Sequence, residues 1–168
     1  MATIPRPPAP PPMIFAPARR LAVRRRMLAL QQRADAPRYL MADITEDVIE
    51  RLAFLRHSPA RALVIGDWSG TLAAHLRAFG AAVTEAEPAC GFPDEAPFPF
   101  GPFDFIATLG TLDTVNDLPG ALVQIRRALR PDGLFIGAVL GGRTLTELRQ
   151  SLLSAEEEIR GMLRLAPF

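Results

Sequence analysis

Short strand-like runs alternate with helical patterns along most of this chain, and that alternation constrains the fold more than any other feature. Ala62-Leu63-Val64-Ile65 ends at Gly66, Ala82-Val83-Thr84-Glu85 forms a second run, and Phe103–Leu109 and Leu134–Val139 complete the set. Helical stretches fall between and around them. Asp43 with Glu46 reads as a capping box, after which Ile44, Val48, Leu52 and Leu55 recur at helical spacing until Ser58-Pro59 stops the helix. Thr71–Phe79 places Leu72, Leu76 and Phe79 on one face, with Gly80 as its C-terminal cap. Asp117–Arg130 aligns Leu118, Leu122, Ile125 and Leu129, and Arg130-Pro131-Asp132-Gly133 is a turn. Thr144–Arg160 is the last helix, with its own capping box in Thr144 and Glu147. Short strands separated by helices imply a mostly parallel sheet covered on both faces, a three-layer α/β sandwich. Right-handed crossovers bring the strand C-termini to one edge. The functional loops are therefore expected after Ile65, Glu85 and Leu109.

The chain of 168 residues is 49% hydrophobic, enough for one packed domain, and no apolar run reaches the ~20 residues of a spanning helix. It reads as a soluble, cytoplasmic protein without a transmembrane segment. A single cysteine, Cys90, excludes an internal disulfide and any multi-cysteine metal site. His57 and His75 are the two histidines, and neither has a ligand-like neighbour at helical spacing, so no metal is expected.

Charge is divided unevenly. All basic residues are arginine, and residues 1–34 carry +7 with no acid, whereas the remainder carries −6. We therefore divide the chain into a basic Pro/Arg-rich leader, residues 1–34, and a domain over residues 35–168. The run Arg6-Pro7-Pro8-Ala9-Pro10-Pro11-Pro12 lacks the amide hydrogens that helix or sheet requires, so a disordered arm is expected there. Ala18–Gln32 favours helix. Such a leader is open to three readings: a transit peptide, a basic helix resting on a membrane or nucleic acid, or a solvated arm whose helix packs on the domain. We favour the third. The acidic body is a poor nucleic-acid surface, because phosphate neutralisation needs clustered cations.

Two loops contain candidate site residues. Gly66-Asp67-Trp68-Ser69-Gly70 joins a strand to a helix, where glycines let backbone approach a ligand and helix amides are free; it reads equally as a tight turn without a ligand. Glu85-Ala86-Glu87 puts acids at the tip of the second strand, where one can accept hydrogen bonds from a ribose diol or simply face solvent.

Longer strings carry a resemblance. Val115-Asn116-Asp117-Leu118-Pro119-Gly120-Ala121-Leu122, Leu129-Arg130-Pro131-Asp132-Gly133 and Gly141-Gly142-Arg143-Thr144-Leu145-Thr146-Glu147-Leu148-Arg149 stand in this order. With Ile14-Phe15 in the place of an opening I-F-D-R segment, residues 14–160 resemble the class I S-adenosylmethionine-dependent methyltransferase family. The similarity is to the branches holding the biotin-pathway malonyl-carrier-protein methyltransferase and the mitochondrial complex I assembly factor.

The resemblance implies a Rossmann-like fold and S-adenosylmethionine as cofactor. It places Gly66, Asp67, Trp68 and Gly70 in the loop at the methionine end, and Glu85 or Glu87 on the ribose hydroxyls. Asp94 and Glu95, ahead of Pro97-Phe98-Pro99-Phe100, would sit near the adenine. The cofactor motif is degenerate, which makes weakened or lost cofactor binding an expectation: Val64 stands for its leading Asp, Trp68 for its central Gly, and Asp113-Thr114 for a His-Trp pair. The segment after the second strand is too short for the family's helix and third strand, and the chain stops before its last two strands, so the domain is expected to be C-terminally incomplete. No residue is identified as catalytic. The implied activity is methyl transfer to an unknown acceptor, a small molecule or a carrier protein or other protein. The alternative is a non-catalytic scaffold or assembly factor with a protein partner, respiratory complexes included.

Overall fold

The computed structural model describes residues 13–160. Its centre is a four-stranded, wholly parallel sheet formed by β1 (Arg61–Ile65), β2 (Ala82–Ala86), β3 (Phe103–Leu109) and β4 (Leu129–Ala138), in the order β2-β1-β3-β4. Around it lie α1 (Pro17–Gln31), α2 (Tyr39–Phe54), α3 (Thr71–Ala78), α4 (Leu118–Ala128) and α5 (Thr146–Arg160).

The two sides of the strands explain the layers. Ala62, Val64, Phe105, Ala107 and Leu109 face α2 and α3, sharing a core with Met41, Val48, Leu52, Leu72 and Leu76. Leu63, Ile65, Phe103 and Ile106 face the other way, onto Ala121, Ile125 and Ala128 of α4. Helices cover both faces over the central strands β1 and β3, as the expected three-layer sandwich requires, while the edge strands β2 and β4 stay partly exposed. The side-chain alternation breaks once, because Phe103 and Phe105 lie in opposite cores. The register supplies the cause: Phe103 pairs Leu129 but Phe105 pairs Leu134, so β4 makes an excursion through Arg130–Gly133 opposite a bulge at Asp104. The expected turn at Arg130–Gly133 is this excursion, with Asp132 at φ 62°.

Asp104 closes the N-terminal edge of the sheet. Its carboxylate accepts from the amides of Ala60 (3.1 Å) and Arg61 (2.8 Å) and from Arg130 Nη1 (2.6 Å). Burial opposes its ionisation, but the Arg61 amide, the Arg130 guanidinium and the Ala60 amide outweigh that and hold the carboxyl below its ordinary value.

The helices differ from the sequence reading in several details, among them that α4 ends at Ala128 and Leu129, expected on it, opens β4. The Asp43–Glu46 capping box does not start a helix; α2 begins a turn earlier, at Tyr39, because buried Met41 extends the stripe of Thr45, Val48 and Leu52. Phe79 is 78% exposed and lies against the ring of His75, while Leu72 and Leu76 are buried as expected. Small Ala121 and Ala128 bring α4 close to the sheet with Ile125, which rotates Leu118 and Leu122 outward. The last helix begins at Thr146, not Thr144: Leu145 stands at φ 58° and the Thr146 hydroxyl donates to the Arg143 carbonyl.

After β2 the chain makes only a 3-10 turn, Pro88–Cys90, and a loop gathering Phe92, Phe98 and Phe100. It then returns past β1 to form β3. The crossovers from β1 thus diverge, to β2 on one side and β3 on the other, and leave a crevice at the C-terminal tips of β1 and β3. Residues 1–12 lie outside the described residues, and with them the expected disordered Pro-Ala arm.

Candidate cofactor site

Gly66 and Gly110, the residues just past β1 and β3, continue the sheet's hydrogen bonding through Gly66 N to Ala86 O and Gly110 N to Ala138 O, both 2.9 Å. Gly66 stands at φ 85°, and a Cβ there would come within 2.6 Å of the Leu109 carbonyl oxygen and of Thr111 Cγ2. Only glycine serves at that position. The loop then closes on itself. The Asp67 carboxylate accepts from the amides of Gly70 (3.0 Å) and Ala73 (3.1 Å) and from the Ser69 hydroxyl (2.7 Å). Asp67 therefore satisfies the Ala73 amide in the first turn of α3, the Ser69 hydroxyl accepts from the Thr71 amide (3.2 Å), and Gly70 at φ 70° is the residue before the helix. Trp68 is half-buried and packs against the core between the sheet and α2–α3.

The four acids divide. Glu85 belongs to the body of β2 and meets Arg77 at 2.5 Å, both side chains nearly half exposed. Glu87 lies beyond the last paired residue of β2, at its tip. One of its oxygens caps the 3-10 turn through the Ala89 amide (3.0 Å). The carboxylate is also held by both arms of the Arg24 fork, Nε to one oxygen and Nη2 to the other, the second at 2.9 Å. Asp94 and Glu95 share Arg20, at 2.5 and 2.9 Å. Glu95 also accepts from the Asn116 amide at 2.8 Å.

Both arginines belong to α1, one turn apart on the same helix face. The helix lies across the tips of the strands and is tied there by polar contacts. Arg24 Nη1 donates to Gly110 O (2.9 Å), Arg20 Nε to the Thr114 hydroxyl (3.2 Å) and Arg25 Nε to Ala89 O (3.2 Å). Asn116 Oδ1 accepts from the amides of Ile14 and Phe15, each at 2.8 Å. No residue of α1 is buried. Beneath and beside it is a cavity of about 600 Å³, bounded by Phe15, Leu21 and Met27 above and by Gly110, Thr111 and Asp113 below. Thr111 is buried, and its hydroxyl has no hydrogen-bond partner among the described residues. Neither Trp68 nor Gly66, Glu87, Asp94 or Glu95 lines the cavity, which adjoins them through Arg20, Arg24 and Gly110.

The structure thus brings Gly66, Glu87, Asp94 and Glu95 together around α1. It gives Asp67, Trp68 and Gly70 to the loop's own architecture and leaves Glu85 outside. Arg20, Arg24, Asn116 and Thr111 were not identified from sequence. One signal for the arginines existed: seven acid-free arginines in the leader facing an acidic body.

A family model described as a methyltransferase domain matches residues 32–162, most of the chain. The chain belongs to the methyltransferase-domain family. It is similar to zebrafish Arginine-hydroxylase NDUFAF5, mitochondrial, at 50% identity over 74 residues, covering 43% of this chain and 23% of that protein. The human protein of the same name is 54% identical over 65 residues, 39% of this chain and 19% of the relative. The Malonyl-[acyl-carrier protein] O-methyltransferase of Laribacter hongkongensis is 29% identical over 147 residues, 70% of this chain and 50% of the relative. These matches therefore span half or less of the relatives' own lengths.

The residues present fit the family's cofactor in outline. The crevice at the strand tips is where a parallel α/β sheet receives ligands, Gly66 has backbone where a side chain would collide, and a carboxylate stands at the tip of the neighbouring strand. The orphaned Thr111 hydroxyl is a further polar group that a ligand would satisfy. Among the described residues, no helix is long and apolar enough to cross a membrane.

Proposed function

We propose that this chain is an S-adenosylmethionine-dependent methyltransferase-like protein that holds its cofactor at the tips of β1, β2 and β3. The observation that carries this reading is the pairing of Gly66, whose Cα faces the crevice without room for a Cβ, with Glu87 one strand away. Glu87 would accept from the ribose hydroxyls in place of Glu85, which sits within β2 on Arg77. Asp94 and Glu95 would stand toward the adenine. Asp67 and Gly70 shape the loop, and Trp68, packed on the α2–α3 core, leaves the crevice clear. Residues 35–168 form the methyltransferase-like unit in this reading, and residues 1–34 a leader whose helical part crosses the site.

The cofactor supplies a methyl group already activated on a sulfonium, so what the chain contributes is binding, orientation and exclusion of water. No side chain is assigned as a base. The acceptor is a small molecule or a protein. A carrier-protein acceptor follows from likeness to the Laribacter protein, whose name specifies malonyl-acyl carrier protein. We place the activity in the cytoplasm, although the zebrafish and human relatives have mitochondrial in their names.

One observation favours the second reading, a non-catalytic scaffold: Glu87, Asp94 and Glu95 are all engaged by arginines of the same chain. Calorimetric titration separates the two. Saturable, micromolar binding of S-adenosylmethionine that is weakened at least tenfold by Glu87→Gln supports the cofactor site. No binding up to millimolar ligand leaves the scaffold.

A further inference from the structure

We propose that α1 is an internal latch on the cofactor site, with the Arg24 guanidinium standing in for the ribose diol. The inference rests on the cofactor reading above and concerns how that site is regulated.

The chemistry of the contact is specific. A vicinal diol offers a carboxylate two adjacent O–H donors, one for each oxygen. Arg24 offers Glu87 the equivalent pair, Nε to one oxygen and Nη2 to the other, in the planar fork that suits this geometry. The third arm, Nη1, fills the Gly110 carbonyl at the tip of β3. Nη2 also lies 2.7 Å from the point where a Gly66 Cβ would be, so the guanidinium occupies the backbone approach that the glycine leaves open. Two groups expected to meet one ligand, Glu87 and Gly66, thus meet one arginine. A ribose cannot reach Glu87 while Arg24 is in place.

The same helix holds the other end of the site. Arg20, one turn earlier, engages Asp94 and Glu95, the acids expected near the adenine. Its hold is peripheral, made of these polar contacts and of half-buried Leu21, Met27 and Leu28. No residue of α1 is buried, its N-cap residue Ala16 makes no side-chain capping bond, and both arginines remain partly exposed at 16%. Such a helix can leave without opening the core. Thr111, whose methyl carbon lies beside Gly66, has a buried hydroxyl without a partner among the described residues, so the arginines satisfy this edge only in part. Cofactor and latch therefore compete for the same acids, and binding requires α1 to swing away at its Arg24 end.

Two measurements on the full chain test this. In calorimetric titration with S-adenosylmethionine, Arg24→Ala should bind at least tenfold more tightly than wild type, because the competitor is removed. Arg24→Lys keeps the charge but loses the fork, and should fall between them. In limited trypsin digestion of the wild type, saturating S-adenosylmethionine should speed cleavage at the α1 arginines while the remaining domain stays resistant and gains thermal stability. Equal or weaker binding by Arg24→Ala would overturn the latch while leaving the cofactor site intact, since Arg24 would then be a ligand contact. Protection of α1 from trypsin by the cofactor would overturn it as well, making α1 a cover that closes over bound ligand. Absence of binding in wild type and in both variants up to millimolar concentration would remove the cofactor reading and the latch together.

Discussion

The sheet has a carboxylate–arginine contact at each end, and the two differ in what fills the carboxylate. At the N-terminal edge, Asp104 takes two backbone amides from the residues opening β1, and Arg130 from the β4 excursion adds the third bond. At the C-terminal edge, Glu87 takes the Arg24 fork from a helix 63 residues away in sequence, plus a single local amide. Backbone amides hold a carboxylate in place whenever the strands are formed, so the first contact belongs to the fold itself. Side chains from a surface helix can be exchanged for another donor, so the second belongs to a site. Similar chemistry gives a permanent joint in one place and a replaceable one in the other.

The largest expected effect is at Asp104. Asp104→Ala should cost about 2–3 kcal/mol, the loss of charge-assisted hydrogen bonds that tie β1 to β3, seen as a lower urea midpoint at constant slope. The comparison fails if the loss is below about 0.5 kcal/mol. Acid sharpens it. Because the folded carboxyl titrates below its ordinary 3.8, its contribution is present in full above that value and is lost as the pH falls through the folded value. The stability gap between wild type and Asp104→Asn should therefore be flat from neutral pH down to about pH 5 and close in stronger acid.

Trp68 lies in the C-terminal loop but packs into the core, so it should behave as part of the fold. Trp68→Gly should lower stability by about 2–3 kcal/mol from lost apolar burial. Affinity for S-adenosylmethionine should change little, since the indole packs on the core under α2 and α3. A large gain in affinity would show that the indole stands in the ligand's way.

Arg24→Ala should cost about 1–2 kcal/mol at most, less than Asp104→Ala, with much of the loss recovered when Glu87→Gln is added. A double-mutant cycle by urea unfolding gives the coupling directly. If Arg24→Ala proves the more damaging of the two, α1 is an integral packing element and the contrast between the edges is wrong. Smallest of all is the exposed Arg77–Glu85 pair, where either alanine substitution should shift stability by no more than about 0.5 kcal/mol.

These regions were also unequally legible in the sequence. Phe103–Leu109 is legible to the residue, because a mostly apolar run between Pro102 and Gly110 has only one way to be a buried strand. The face of α4 is not legible from its leucines, because small Ala121 and Ala128 approach a sheet more closely than Leu118 or Leu122. Asp43 and Glu46 imitate a helix start, but burial of Met41 outweighs a local cap. At the site, the glycine loop and the acids could be named, but Glu85 and Glu87 could not be told apart until pairing of Ile65 with Ala86 fixed where β2 ends. The arginines that meet Glu87, Asp94 and Glu95 lie 63 to 75 residues away from them, beyond any local pattern.

That α1 contributes no buried residue has an evolutionary consequence. Core positions are constrained by everything they touch, so drift there is slow and coupled. A helix attached by a few guanidinium groups is different: one arginine codon can change and alter who gains entry to the crevice, while the sheet beneath folds as before. Access and architecture are then inherited as separate traits, and a lineage can lose one while keeping the other.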